Sequence, residues 1–492
     1  MRKGEKHGGQ KKKKTARVKK VLMNKKVGVW CRTKSGVICL PQPSAVCSGI
    51  RTRTACSVPQ DEASTIKDHE FISWLRKKAG LEVCSSLTVG MSYHGRSLFS
   101  SRPIQAGERI MQIPHNLLIT PDKLPKGVVT FLGKDASNYA RLALFILAEQ
   151  KLGQMSEWAP YIHCLPQMGT LHSTVFWTEE ELEMIRQSAV HRETMHRKGS
   201  IKKEFGAVQQ ALHHCPHIFG DATFGSFMHA YALVGSRAWG ITSKGLALIP
   251  FADFFNHDGS SEAVLLSDED ESFSEVIADK DYELGEQVSI SYGKFSNATL
   301  LLDFGFTLSH NRHDQVEIWM GLSRRDPLRK CKIELLHSHN MLTLLDANGY
   351  DTGGNSFIIK EVRSPTGRGK GIPHSLRAFS RVLCACSTKE LAEMATEAAA
   401  YDGRLARRPL KNRSREIQAM ALLLARIETL IQQHVASILT LQFMESCKVK
   451  DSQLHIRHEL AQSLLGGELR VLQSASAWLK HYCTTLSLRK QI

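Results

Sequence analysis

The chain has 492 residues, of which 42 % are apolar, and this is enough for two or three domains with buried cores. Its formal net charge is +17, but residues 1–60 hold 16 Lys and Arg against one acid, Glu5. The basicity therefore belongs to the tail and gives no reason to expect nucleic acid on the folded body. No apolar run approaches the roughly 20 residues that span a bilayer.

The basic tail, residues 1–66, is predicted to be a disordered arm or a targeting peptide. The lysine run Lys11–Lys14 with its basic neighbours is compatible with a nuclear address or with nucleic acid. Residues 23–60 are free of acids and rich in Ser, Thr and spaced Arg or Lys, as transit peptides are. This composition favours a chloroplast address, with Met23 as one possible start. A nuclear or cytoplasmic protein with a plain arm is the alternative.

A metal site is not expected from the cysteines and histidines. The 12 cysteines form no Cys-x-x-Cys pair, and Cys384 with Cys386 lacks a second pair nearby. His213, His214, Cys215 and His217 are too close in sequence to converge around one ion without further ligands. Free thiols in a reducing compartment are the simpler interpretation.

Two similar strand-turn-strand patterns indicate a β-rich core that is interrupted by an insertion. Order begins near Asp68, and residues 104–110 and 282–288 each place a glycine turn between short apolar runs, as hairpins do. The intervening residues, about 125–235, have helical spacing, and Thr178 is a plausible N-cap before Glu179–Glu181. We therefore predict a core of about 67–124 and 236–312.

The remainder of the chain, 313–492, is predicted to be a mainly helical domain. Strand signals fade after about residue 315, and helical patterns follow over 376–400, 414–440 and 454–482. Before them, residues 366–371 form a polar loop that fails the phosphate-loop pattern. The fold class is therefore α+β.

The residues that carry chemistry cluster in two places. The apolar run from Gly245 ends in Asp253, Asn256 and His257, three hydrogen-bonding side chains at the edge of a hydrophobic segment. The second place is Ser289–Gly293, which contains Tyr292. Taken alone, Tyr292 is more simply a core residue on an inward strand face.

These segments, in this order, resemble the SET-domain methyltransferases. They are similar to the group that includes the plant Rubisco large-subunit lysine methyltransferase, and the likeness is strong over about 68–310 and weak after 315. Its parts are Gly95–Phe99, Ser236–Trp239, Asp253–His257, Ser291–Gly293 and Asn297–Phe306. The resemblance implies a split SET core with a helical insertion and a C-terminal substrate-binding domain. It also implies S-adenosyl-L-methionine as cofactor and transfer of its methyl group to a lysine of a non-histone protein.

The resemblance further assigns roles by position. Tyr292 matches the catalytic tyrosine, and Phe304 lies at the substrate channel. The residues that match the cofactor-binding positions are Arg96, Leu98, Arg237, Asp253, Asn256, His257, Tyr292 and Phe306. A lysine amine has an ordinary pKa near 10.4, so an apolar channel that disfavours the ammonium form would help to supply the neutral nucleophile.

One position departs from the family, and two alternatives stay open. Relatives often have Tyr-Gly-Phe where this chain has Phe304-Gly305-Phe306, and the missing hydroxyl leaves room for di- or trimethylation. The alternatives are a catalytically weak interaction module of SET fold and a protein-histidine methyltransferase. The expected partner is a lysine-bearing protein, with a monomeric enzyme, no membrane and no nucleic acid beyond the tail. The acidic run 268–271 is either a solvated loop or an attraction for basic substrate segments.

Overall fold

The computed structural model describes residues 62–92, 95–241, 244–267, 272–345, 351–446 and 452–488. The interpretations of tail residues 1–61 and of the acidic run 268–271 lie outside these residues. Residues 62–66, predicted as the end of the tail, belong to the helix Glu62–Ala79. The chain divides into two compact units. The first combines residues up to 129 with 141–165 and 237–293, and the second combines 130–140, 166–236 and 294 onwards. The domain boundaries drawn from sequence, 67–312 and 313–492, stay a prediction beside this division.

The first unit is built on short strands behind a helix, Glu62–Ala79. In chain order the strands are β1 Leu87–Ser92, β2 Gly95–Ser100, β3 Arg109–Pro114, β4 Trp239–Ile241, β5 Gly245–Ala247, β6 Asn256–His257, β7 Leu265–Ser267, β8 Phe273–Ile277 and β9 Gln287–Ile290. Among the described residues these strands form three sheets, in the orders β1-β2-β9-β6, β3-β8-β7 and β4-β5.

The two glycine turns do not form local hairpins, so that part of the sequence prediction is wrong. Ile104 instead pairs with Tyr282 of the other turn unit. The amide of Gly107 donates to Ala278 O at 2.8 Å, and the amide of Gly285 donates to Ser100 O at 2.9 Å. Each turn has its own hydrogen bond, from the Glu108 amide to Gln105 O and from the Glu286 amide to Glu283 O, but the chain around it pairs with residues nearly 180 positions away. This confirms the prediction of one β-rich core split by an insertion.

The insertion is helical, as predicted. Thr178 caps its helix through a reciprocal capping box with Glu181. The helices of this region are Lys126–Val129, Asn138–Leu152, Ala159–Ile162, Glu179–Glu183, Ala189–His214, Pro216–Phe219 and Phe224–Arg237.

The rest of the second unit is mainly helical but contains a strand pair that the sequence did not reveal. β10 Gln315–Gly321 and β11 Gly354–Lys360 are antiparallel, and each buries alternate residues on one face. The helices are Asn297–Thr299, Arg329–Ser338, His374–Leu383, Thr388–Ala400, Arg413–Ser446 and Ser452–Leu488, and a π-helical turn covers Leu300–Phe304. The pattern over 376–400 is therefore two helices, since residues 384–387 interrupt it. The α+β class is confirmed.

Among the described residues, two clusters of buried hydrophobic side chains stabilise the second unit. The larger joins the β10–β11 pair to the C-terminal helices through buried side chains such as Ile318, Phe379 and Leu472. The smaller joins insertion residues such as Trp177 and Leu182 to Leu465 of the last helix. No helix within the described ranges is long and apolar enough to cross a membrane.

Gly305 is expected to tolerate no side chain. Its φ is +80°, and a Cβ there would lie 2.6 Å from the amide nitrogen of Ser173. We expect Gly305→Ala to lower the free energy of unfolding by about 1–3 kcal/mol, from backbone strain and the clash. Gly466→Ala is the control, because that helical glycine has open space around it and alanine should stabilise it by about 0.5–1 kcal/mol. If urea unfolding showed that the two substitutions change the free energy of unfolding in the same direction, this account would be contradicted.

Candidate active site

The Asn256–His257 segment and the strand that precedes Tyr292 lie side by side. β6 runs parallel to β9, with Asn256 opposite Ser289 and His257 opposite Ile290. A parallel pair cannot be closed by a tight turn, so its register is set by long-range packing. The two chemistry-bearing segments of the sequence are thus brought together.

His257 holds Tyr292 in place. The Tyr292 amide donates to His257 Nδ1 at 3.1 Å, and the two rings stack at 5.1 Å between centroids. Burial lowers the pKa of His257, so the imidazole is neutral at pH 7. With Nδ1 as an acceptor, the ring proton sits on Nε2. The side chain of His257 therefore fixes the position of Tyr292.

The Tyr292 hydroxyl donates its proton in a hydrogen bond to the main chain. It donates to Phe255 O at 2.6 Å, and the indole of Trp239 meets the phenol ring edge-on at 6.2 Å. Burial raises the pKa of the phenol, so it stays neutral at physiological pH. A hydroxyl has one proton and two lone pairs, so this oxygen can still accept a hydrogen bond. It is suited to orient a neutral N–H group and not to remove a proton.

Asn256 links β6 to the first strands of the core. Its amide nitrogen donates to Ser97 Oγ at 2.7 Å and lies 3.5 Å from Arg96 O. Leu98 is fully buried and pairs with Val288 across β2 and β9. The predicted cofactor-binding positions on β2 therefore lie beside the Asn256 segment.

The side chain of Arg96 has a structural role that the sequence did not indicate. Its Nε donates to Asp68 Oδ1 at 3.1 Å, and its Nη1 donates to Cys164 O at 2.6 Å. The guanidinium also lies 5.4 Å from the ring of Phe254. Arg96 thus ties the first helix to the strand β2, while its main chain stays the predicted contact for cofactor.

The Asp253 side chain is fully buried and lies between Tyr161 and Arg237. Its Oδ2 accepts from the Tyr161 hydroxyl at 2.8 Å and lies 3.9 Å from Arg237 Nε, at the end of the helix Phe224–Arg237. Burial raises the pKa of Asp253 to about 6, against the charge of Arg237, which lowers it. Tyr161 was missed from sequence, because it lies 92 residues away in the helical region and no local pattern marks it.

Asp253 gives the site a testable pH dependence. Its folded pKa is above the ordinary 3.8, so the stability that it contributes is present below pH 4 and lost as the pH rises to about 6. Two pKa units correspond to about 3 kcal/mol. We therefore expect Asp253→Asn, relative to wild type, to be about 3 kcal/mol more favourable at pH 8 than at pH 4, by urea unfolding.

Asp279→Asn is the matched control for this measurement. Burial opposes ionisation at Asp279, but hydrogen bonds from the Glu262 amide and the Tyr282 hydroxyl hold its pKa below the ordinary value. The stability from Asp279 is therefore present at neutral pH and lost in acid, and its asparagine variant should show the opposite trend. Parallel pH profiles for the two variants would refute the assignment.

Phe304 and Phe306 belong to the second unit. They flank Gly305, with Phe304 as the last residue of the π-helical turn Leu300–Phe304, and their ring centroids are 6.2 Å apart. Phe304 also contacts Phe295 at 5.9 Å. Asp303 of the same turn pairs with Arg197 at 2.8 Å, and Ser173 donates to Leu302 O at 2.6 Å. Insertion residues thus hold this turn, and the roles of both phenylalanines stay predictions.

Two family models match the chain in series. A SET domain matches residues 95–293, and a Rubisco LSMT substrate-binding domain matches residues 323–472. The chain is a SET-domain protein of the Rubisco methyltransferase-like group. The split core and the helical C-terminal region that the sequence predicted are those of this family.

Curated relatives of this SET-domain protein are methyltransferases. It is 28 % identical over 283 residues to the chloroplastic [fructose-bisphosphate aldolase]-lysine N-methyltransferase of Arabidopsis thaliana, covering 55 % of this chain and 58 % of that protein. It is 26 % identical to the chloroplastic Rubisco large-subunit N-methyltransferase of Nicotiana tabacum, over 55 % and 57 % of the two chains. The actin-histidine N-methyltransferase of Danio rerio is 30 % identical over 49 % and 42 %. The matches thus span 42 % to 58 % of the lengths of these three relatives.

Solved structures share the fold. Rubisco LSMT bound to AdoMet superposes with a TM-score of 0.62 at 22 % identity, over 86 % of this chain and 93 % of that one. The same protein bound to sinefungin and monomethyllysine gives a TM-score of 0.65 at 22 % identity, with the same coverage. This likeness establishes the SET fold of the chain.

Proposed function

We propose that this protein is an S-adenosyl-L-methionine-dependent protein-lysine N-methyltransferase that acts on a non-histone protein. One observation carries the proposal: a neutral phenol, Tyr292, is fixed by Phe255 O and by His257, on a segment that is distant in sequence. The lysine methyltransferases among its relatives supply the reaction class.

The polar atoms left over in the first unit suit S-adenosyl-L-methionine. Asp253 Oδ1 and Trp239 Nε1 are buried and have no hydrogen-bond partner among the described residues. A ligand with both donors and acceptors would satisfy them. Arg237 carries the positive charge that a carboxylate needs. We assign the cofactor to the main chain at Arg96 and Leu98 and to Arg237, Asp253, Asn256, His257 and Tyr292, with Phe306 on the adenine by resemblance.

The chain's part in the reaction is to align and desolvate the nucleophile. The bound sulfonium supplies an activated methyl group. Presenting a neutral lysine at pH 7 costs about 4–5 kcal/mol in water, and a dry channel reduces that cost because it disfavours the ammonium form. The lone pairs of Tyr292 Oη accept an amine N–H and thereby direct the amine lone pair. No strong base is required of the protein.

Mass spectrometry of methylated peptides tests the proposal. The protein would be incubated with cell extract and isotopically labelled S-adenosyl-L-methionine, with Tyr292→Phe as the inactive control. The expected result is labelled methyl-lysine that depends on Tyr292. Cofactor binding by calorimetry without any labelled product would favour the interaction module instead.

A histidine acceptor is the second candidate, because actin-histidine methyltransferases are among the relatives, at 25–30 % identity. An imidazole has an ordinary pKa near 6.5, so it needs no deprotonation at pH 7.5. The same peptides distinguish the two acceptors by the modified residue. A methyl-histidine product would replace the lysine assignment and keep the role of Tyr292.

For localisation we propose the chloroplast, supported by the acid-free stretch 23–60 and by the chloroplastic relatives. Residues 1–60 fused to a fluorescent protein should then enter plastids, and a nuclear signal would reject the proposal.

For partners we propose a lysine-bearing protein substrate, and we propose that the enzyme acts on it as a monomer.

Phe304 is proposed to set the number of methyl groups. A phenylalanine lacks the hydroxyl that could hold the amine or a water, so wild type should yield di- or trimethyl-lysine. Phe304→Tyr should shift the product towards monomethyl-lysine, because the added hydroxyl takes up the space of a methyl group. Intact-peptide mass spectrometry measures the ratio. Monomethyl product alone from both proteins would remove the hypothesis.

A further inference from the structure

The second unit contains an arginine-lined cleft, which lies within the residues 323–472 that match the substrate-binding family model but is not part of the resemblance drawn from the sequence. Its volume is about 620 Å³. It is lined from the helices His374–Leu383 and Thr388–Ala400 and from the loop between Ala400 and Arg413. The lining side chains that this argument uses are His374, Glu397, Tyr401, Arg404, Arg407 and Arg408.

The loop is strongly basic in an otherwise nearly neutral body. Residues 403–415 hold six Lys or Arg and no acid. The side chains of Arg404 and Arg407 are 69 % and 47 % exposed, so they are accessible to a partner. Both arginines pair with Asp402, so one carboxylate lies between two guanidinium groups. Positive charge is therefore in excess at the mouth of the cleft.

The excess of positive charge also acts on His374, which lines the cleft. Burial lowers the pKa of His374, and the positive charges of Arg377 and Arg407 lower it further. Arg377 Nη2 lies 3.2 Å from His374 Nδ1. The guanidinium groups of Arg404, Arg407 and Arg408 line the cleft and are the donors that an anion entering it would meet.

The cleft also offers an apolar and aromatic wall. The Tyr401 side chain is 61 % exposed, and the guanidinium of Arg408 lies 3.6 Å from the centre of its ring. A planar cation on an aromatic ring stays available for a bidentate contact with a carboxylate. The ring itself can pack against a side chain of the partner.

We propose that this cleft is a docking site for an acidic, Asp- or Glu-bearing segment of a partner protein. Two lining acids, Glu397 and Asp402, divide the arginines into separate groups, which suits spaced carboxylates better than the continuous charge of a nucleic acid backbone. Among the described lining residues Tyr401 is the only Phe, Tyr or Trp, whereas single strands are bound on successive stacked rings. A discrete run of carboxylates therefore fits better than nucleic acid.

The inference does not depend on methyl transfer, because it concerns binding alone. The test measures fluorescence anisotropy of a labelled peptide of alternating glutamate and glycine with one leucine, added to the full chain. The triple variant Arg404→Ala, Arg407→Ala, Arg408→Ala should bind the peptide about tenfold more weakly at low salt. Added salt should narrow the difference.

A charge-matched variant controls for the basic tail, which is present in every protein compared. Lys202→Ala, Lys203→Ala, Lys389→Ala removes the same charge from exposed positions outside the cleft and should bind as wild type does. Thermal unfolding verifies that both triple variants are folded. Replacing the three arginines with lysine should restore part of the affinity, since charge returns without the planar fork.

Two outcomes would overturn the proposal. Equal peptide affinity for the cleft variant and the charge-matched variant would mean that only overall charge matters. A single-stranded oligonucleotide that binds through the three arginines, while the peptide does not, would make the cleft a nucleic-acid site.

Discussion

Tyr292→Phe is expected to lower the rate of methyl transfer by at least about 100-fold, the scale seen when one preorganised hydrogen-bonding group is removed from an active site. Phenylalanine keeps the ring that stacks on His257 and the amide that donates to Nδ1. It loses the oxygen whose lone pairs would orient the amine. Single-turnover transfer of labelled methyl to the substrate protein measures the effect.

Tyr282→Phe is the matched control for that experiment. The Tyr282 hydroxyl donates to Asp279 at 2.9 Å in the same unit, so its loss removes a comparable hydrogen bond away from the proposed chemistry. This variant should keep its activity. Because Tyr292 is also assigned to the cofactor, calorimetry on Tyr292→Phe separates a loss of cofactor affinity from a loss of methyl transfer. A fully active Tyr292→Phe protein would end the proposed role of the phenol.

Arg381→Ala is expected to cost about 3–5 kcal/mol of unfolding free energy, because it strands a buried carboxylate. Arg381 and Glu416 form a bidentate pair at 2.7 and 2.8 Å, and both side chains are almost fully buried. Arg381 Nη1 also donates to the carbonyl of Ala406, a residue with φ of +43°. The pair therefore holds the start of the basic loop. Urea unfolding measures the loss.

Arg415→Ala is the neighbouring control. Its Nε donates to Glu390 at 3.1 Å, but both side chains are partly exposed, so the loss should be about 1 kcal/mol or less. The double variant Arg381→Met, Glu416→Met should recover much of the stability, since neither charge is then left buried. Equal losses for Arg381→Ala and Arg415→Ala would contradict the burial argument.

The sequence determined the features whose signals are local. The Thr178 cap, the helical insertion and the C-terminal helices follow from patterns within one or two turns of chain. The order of the motifs indicated the SET family, and from it the candidate residues. The local patterns also misled: each glycine turn was expected to close its own hairpin, whereas Ile104 pairs with Tyr282.

Only the tertiary structure decided how distant residues act on each other. A two-residue parallel pairing puts His257 under Tyr292, and Tyr161 supports Asp253 from the helical region. Composition and periodicity carry no information on such partners, because strand register and the hydrogen bonds of buried side chains are set by packing across the whole unit. The sequence by itself determined the local elements and the candidate residues, and the fold determined which side chains those residues contact.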